Sequence, residues 1–153
     1  MKIIQLTNGG YVTVDDVWYP VLVKHSWRRS IKGYAQRSVK PGYSIMMHQV
    51  IAMTPSGLQT DHINGDKLDN RAANLRHCTN AENARHRPRP VGKSGYRGVS
   101  VKKNGKFEAS IMADYKRKSL GVYDQAIDAA KAYDEAAMKL HRSFATLNFP
   151  LVV

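Results

Sequence analysis

One short stretch of this chain gathers a carboxylate, an imidazole and carboxamides: Asp61-His62-Ile63-Asn64-Gly65-Asp66, followed by Asn74 and Asn83. Groups of these types, in this order, suit metal-dependent cleavage of a phosphodiester. Water must be deprotonated near neutral pH, which matches an imidazole, so His62 is the candidate general base. Charge on the scissile phosphate and the leaving oxygen must be stabilised, which a divalent cation does well. Asp61 and Asn83 offer oxygen ligands and match a single hard ion, Mg²⁺ or Mn²⁺, rather than zinc. Asn74 is read as pinning the loop through backbone hydrogen bonds and so orienting His62. The bland alternative is a polar turn, with Asn74 and Asn83 serving only as caps.

Positioning these groups calls for a strand over Leu58 to His62, a loop of about a dozen residues and a second strand around Leu75 to Cys78. Thr79 or Asn80 then caps a helix through Arg87. Packing that helix under the hairpin brings Asn83 towards Asp61. Upstream, residues 1–54 read as short strands. Asn8-Gly9, between Ile3–Leu6 and Tyr11–Val14, is a strong hairpin signal, and Lys32-Gly33 is a weaker one. Asp15 or Asp16 is expected to cap a short helix through Val23. Trp18, Trp27, Tyr34 and Tyr43 are assigned to the small core rather than to base stacking.

The composition points to a polyanionic partner. Across 153 residues, 24 Lys and Arg stand against 12 Asp and Glu, a net charge of +12. The basic excess is smallest in residues 55–92, where the candidate site lies. No apolar run approaches the roughly 20 residues that span a bilayer, so no membrane partner is expected. The start of the chain turns polar too soon for a secretory signal, which favours a soluble, cytoplasmic protein. With Cys78 as the single cysteine, an intramolecular disulfide and a four-cysteine zinc site are excluded.

Two prolines in His86-Arg87-Pro88-Arg89-Pro90-Val91-Gly92-Lys93 block helix continuation and predict an extended basic linker over 88–93. Arg87 and Arg89 there are candidate DNA contacts. Beyond it, Val99 and Val101 alternate with polar residues, Asn104-Gly105 turns, and Phe107, Ala109 and Ile111 alternate again. A third strand runs from about Arg117 to Tyr123, with Leu120 and Val122 pointing one way and Arg117 and Ser119 the other. Asp124 is expected to cap a helix to about His141, whose stripe is Ala126, Ala130, Tyr133, Ala137 and Leu140. The fold class is therefore α+β. A strand-rich N-terminal region with a ββα-metal module (1–87, core about 55–87) precedes a three-stranded antiparallel sheet packed on one helix (94–150).

The region 48–87 resembles the HNH endonucleases of the homing type, found in phages and mobile elements. The resemblance runs through Met47-His48, Asp61 to Asp66, Asp69-Asn70-Arg71, Asn74-Leu75-Arg76 and Asn80 to Asn83. It implies Asp61 and Asn83 as metal ligands, His62 as base and Asn74 as the structural Asn. Residues 1–47 look like the strand-rich leader of that motif. The His at position 48 is usually followed by Arg; here Gln49 follows it. His86 is a further metal or phosphate candidate, and His48 is read as structural.

Residues 94–150 resemble the plant ethylene-response-factor (Apetala-two) DNA-binding domain. Ser94-Gly95-Tyr96-Arg97-Gly98-Val99, Leu120-Gly121, Ala129-Ala130-Lys131-Ala132-Tyr133-Asp134 and Leu147-Asn148-Phe149-Pro150 carry the likeness. It implies that the free face of the sheet enters the major groove of double-stranded DNA, with Arg97 as a direct contact. Lys102, Lys103, Lys106, Arg117 and Lys118 are the candidate phosphate contacts. The combined expectation is a Mg²⁺- or Mn²⁺-dependent DNA endonuclease that nicks as a monomer. Double-strand cuts would need a homodimer or a second binding event. The rivals are a non-catalytic DNA-binding regulator and a structured-RNA nuclease or binder.

Overall fold

The computed structural model describes residues 1–86, 91–113 and 116–150. Arg87, Arg89 and the first half of the expected linker, residues 88–90, lie outside the described residues. The chain divides into two compact units, Met1–Asn80 and Ala81–Val153.

The first unit opens with a hairpin, β1 (Lys2–Gln5) and β2 (Tyr11–Val14), in antiparallel register with Gln5 opposite Tyr11. Asn8 does more than turn the chain: its amide donates to Arg29 O and its Oδ1 accepts from Arg29 N. The short helix α1 (Tyr19–Leu22) starts later than expected and has no side-chain cap. The Asp15 carbonyl accepts from Trp18 N and Tyr19 N, while its carboxylate reaches Ala72 N at 2.7 Å. The aspartate that seemed a helix cap is thus spent on the loop that carries the candidate site.

Strands β3 (Arg28–Arg29), β4 (Ala35–Lys40) and β5 (Tyr43–Met46) form a three-stranded antiparallel sheet, in the order β3-β4-β5. Helix α2 (Met47–Ala52) follows, then the hairpin β6 (Gln59–His62) and β7 (Leu75–Cys78). Helix α3 (Asn80–His86) begins at the end of this unit. The core joins Ile4, Leu6, Val12, Val14, Leu22, Trp27, Ala35, Met47 and Ile51. Of the four aromatics assigned to it, Trp27 is buried, with its indole N–H on Leu22 O, and Trp18 packs at its margin. Tyr43 is exposed, because the outer strand β5 turns it to solvent. Tyr34 stands instead against His48 and His62.

The second unit holds β8 (Val99–Val101), β9 (Phe107–Ala113) and β10 (Lys116–Tyr123), antiparallel in the order β10-β9-β8. Helix α4 (Ala126–His141) packs on β9 and β10. Its buried face is Ala129, Ala130, Tyr133, Asp134 and Ala137. Methyl side chains let the helix approach the sheet closely. Leu140 is exposed, so the stripe ends one turn earlier than its spacing suggested. A register shift between Ser119 and Gly121 breaks the alternation of β10, leaving Leu120 against the core and Val122 exposed. Asp124 does not cap α4; Gln125 occupies that position, and Asp124 pairs with Lys106 at 2.8 Å.

Asp134 is the polar pin of this unit. Buried on α4, it accepts from Asn148 N and Phe149 N, and Asn148 in turn bonds Arg97 N and O. Gly98, at φ +74°, passes directly beneath the Tyr133 ring: a Cβ there would lie 2.0 Å from Tyr133 Cδ2. An aromatic ring held by core packing cannot move aside. Gly98→Ala is therefore expected to destabilise this unit by about 3 kcal/mol, from overpacking plus the strained φ. Urea denaturation followed by a probe in residues 94–150 would register it, and a change below about 1 kcal/mol would show the helix to be freely adjustable.

Candidate active site and DNA-facing sheet

The ladder of β6 and β7 sets Asp61 opposite Arg76 and His62 opposite Leu75. Adjacent strand residues leave opposite faces, so the carboxylate and the imidazole flank the strand end from two sides. Asp61 is buried and its Oδ2 accepts from Arg76 Nε and Nη2 at 2.8 and 2.7 Å. Opposite-charge residues paired across the ladder bring this contact about.

His62 is also buried. Its Nε2 lies 3.1 Å from Asn70 Oδ1, and its ring stands 5.1 Å from His48 and 5.9 Å from Tyr34, centre to centre. Burial pushes the His62 pKa below the ordinary histidine range, opposed by the bond to Asn70 and by nearby carboxylates. A neutral imidazole near pH 7 is the form a general base requires.

The loop between β6 and β7 is held from inside. Asn74 Oδ1 accepts from Asn64 N, its amide donates to Asp69 O, and its carbonyl accepts from Ile63 N. Asn64 donates to Asp69 Oδ2, and Arg71 closes on both oxygens of Asp69 at 2.8 and 2.7 Å. The Arg71 guanidinium holds the Asp69 carboxyl below the usual range. Outside support comes from β2, where Thr13 N donates to Leu68 O and Thr13 O accepts from Asn70 N. Lys67 completes the clamp, donating to Lys32 O and sitting 4.8 Å over the Tyr34 ring. The residues read as a leader are therefore part of the frame that fixes the loop.

Asn70, fully buried, had no assigned role in the sequence beyond its place in Asp69-Asn70-Arg71. A carboxamide in a loop gives no outward signal that it faces an imidazole. Of the other histidines, His77 Nε2 meets Ala52 O at 2.8 Å. His48 is buried with Nδ1 lacking a hydrogen-bond partner, and burial lowers its pKa to about 4. Gln49, where Arg is usual, is exposed on α2.

The His48 shift has a consequence for stability. The unfolded chain takes up this proton near pH 6.5, whereas the folded chain resists until about pH 4. Stability is therefore full above about pH 6.5 and falls as the pH drops towards 4, by up to about 3 kcal/mol. Urea denaturation at several pH values should show this slope, and His48→Leu should flatten it. An unchanged slope in that variant would assign the acid sensitivity elsewhere.

Among the described residues, no group of three or more His, Cys, Asp or Glu is arranged to hold a metal. A carboxylate and a carboxamide, completed by phosphate and water oxygens, is nevertheless an ordinary environment for Mg²⁺. Asp61 offers a carboxylate and Asn83 a carboxamide oxygen, donor types that such an ion accepts. Asp61, His62 and Asn74 belong to the first compact unit and Asn83 to the second, on α3.

A family model described as HNH endonuclease matches residues 48–85. An uncharacterized HNH endonuclease of Acanthamoeba polyphaga mimivirus is 28% identical over 147 residues, covering 90% of this chain and 73% of that protein. Residues 48–85 are thus similar to HNH endonucleases. The C-terminal region is similar to plant proteins. An AP2/ERF and B3 domain-containing transcription factor of Arabidopsis thaliana is 46% identical over 69 residues, which is 41% of this chain and 20% of that one. Ethylene-responsive transcription factor 3 of Nicotiana tabacum is 45% identical over 58 residues, 37% and 26% respectively. The matched stretch thus spans about a fifth to a quarter of these plant relatives. The HNH segment and the viral relative together support a nuclease, and no helix among the described residues is long and apolar enough to cross a membrane.

In the second unit the face of the sheet away from α4 centres on Glu108, which the sequence reading passed over. Lys102 Nζ and Arg117 Nη2 approach its Oε2 at 3.5 and 3.7 Å, and Ser119 donates to its Oε1. Arg117 also donates to Ser110 Oγ. Lys103 is exposed at the turn. Lys118 lies opposite Ile111 in the ladder, so it belongs to the edge of the helix-bearing face. Arg97 turns inward, donating to Tyr133 Oη at 3.1 Å and to Arg85 O at 2.7 Å. The free face presents Lys102 and Arg117, while the Arg97 guanidinium is engaged by Tyr133 and Arg85.

Proposed function

We propose that this chain is a divalent-metal-dependent DNA endonuclease of the homing type, acting on duplex DNA. The observation that carries the reading is His62, buried and hydrogen-bonded to Asn70 within the matched HNH segment, beside the Asp61–Arg76 pair. His62 takes the proton of the attacking water, and burial keeps its ring neutral for that task. Asn74 holds the loop behind it. Asp61 and Asn83 are the residues that would hold Mg²⁺ or Mn²⁺. When bound, such an ion supplies charge stabilisation at the phosphate and the leaving oxygen.

Residues 1–87 form the nuclease domain in this reading, joined through a basic connector to a targeting domain over 94–150. Its similarity to the plant factors supports duplex DNA as the partner. Lys102, Lys103, Lys106, Arg117 and Lys118 add salt-dependent affinity, as do Arg87 and Arg89. Arg97 contributes only if DNA draws it away from Tyr133. One site per chain nicks one strand, and a homodimer or a second binding event gives a double-strand cut. A homing role in a phage or mobile element, inside a bacterial or phage-infected cell, completes the proposal.

Supercoiled plasmid incubated with purified protein and Mg²⁺ should become open-circular, and chelation should stop the reaction. No nicking with Mg²⁺ or Mn²⁺ on any plasmid or on the source genome would leave a DNA-binding regulator. Preference for structured RNA over duplex DNA in competition at fixed salt would transfer the activity to RNA.

A further inference from the structure

Asn70 stands out because a wholly buried carboxamide faces both an imidazole and a thioether. Its Oδ1 lies 3.1 Å from His62 Nε2, and its Nδ2 lies 3.8 Å from Met47 Sδ. Which end of the amide faces which neighbour follows from chemistry. A thioether sulfur is a weak acceptor and has no proton to donate, so the NH₂ end belongs towards Met47. The oxygen then faces His62, and only a protonated Nε2 can answer it. Flipping the amide would point its oxygen at sulfur lone pairs inside the protein, leaving that acceptor without a donor.

The backbone of Asn70 is fixed as well. Its N–H donates to Thr13 O at 2.8 Å, and Thr13 N binds Leu68 O on the other side. The carboxamide is therefore held by strand β2, which the matched HNH segment does not include. We infer that Asn70 is a positioning residue that holds the His62 ring with its proton on Nε2, leaving Nδ1 as the atom that accepts a proton. As the ring gains a proton on Nδ1, the Nε2–H bond to Asn70 Oδ1 is retained and strengthened by charge. The catalytic consequence rests on the nuclease reading; the tautomer does not.

Nitrogen-15 NMR of histidine-labelled full-length protein, at a fixed pH of about 8, distinguishes the two neutral tautomers, with His62 assigned by comparison with His62→Ala. The wild type should show His62 protonated on Nε2. Asn70→Leu, of similar volume but without an acceptor, should shift His62 towards Nδ1–H or a mixture. It should lower kcat for nicking about 100-fold at unchanged KM. Asn70→Asp, which still offers an oxygen to Nε2, should keep the tautomer and stay within about tenfold of wild-type kcat. A wild-type His62 protonated on Nδ1 would overturn the inference without any variant. So would a folded Asn70→Leu protein with the wild-type tautomer. If the wild type cuts nothing, the nuclease reading fails, and the tautomer still decides the role of Asn70.

Discussion

Replacing His62 with alanine is expected to slow DNA nicking by about 10²- to 10⁴-fold while leaving affinity for duplex DNA within about twofold. The two effects separate because the basic residues proposed to bind phosphate lie elsewhere in the chain, most of them in residues 94–150. The substitution also removes a buried ring that packs against Tyr34 and His48. His62→Gln therefore belongs beside it, retaining much of the volume and losing the base. Plasmid nicking rates, duplex binding at stated salt and thermal midpoints of all three proteins would be compared. Loss of cleavage and affinity in equal measure, with a collapsed midpoint, would make His62 a folding residue and nothing more.

What could be read from the residues was what repeats or alternates. The Asp61-His62 strand end, the twelve-residue loop and the return over Leu75–Cys78 were all visible, because strand alternation and turn residues bracket them. The β8–β10 sheet was equally legible, as Asn104-Gly105 and the alternating Phe107, Ala109 and Ile111 leave little choice. Single polar residues were not. Asp15 and Asp124 both sit where an N-cap belongs, yet one bonds Ala72 N and the other Lys106, because a distant partner outcompeted the local one. Val122 was assigned by counting, and the count failed at the shift beside Gly121. Asn70 left no trace because its meaning depends on β2, some 57 residues earlier at Thr13.

Removing Arg76 should be costly to the stability of the first unit. Its side chain is 15% exposed and that of Asp61 8%, so the ion pair is nearly dry. Arg76→Met keeps most of the apolar stem but takes two charge-assisted hydrogen bonds from a buried carboxylate. A loss of about 3–5 kcal/mol is expected, because the carboxylate must then stay desolvated without its guanidinium. The pair itself need not be stabilising by that amount. Coulomb attraction between the partners mainly offsets the cost of taking both out of water. The double variant Asp61→Leu/Arg76→Met should therefore recover more than half of the loss, as urea denaturation would show. It should also remain unable to nick DNA, since Asp61 is a proposed cation ligand. If the single Arg76 variant loses less than about 1 kcal/mol, water or another donor reaches Asp61, and the pair behaves as an exposed one. Recovered stability without recovered cleavage would show that this pair is needed for chemistry and not only for folding, with the guanidinium as the partner that makes the burial of Asp61 tolerable.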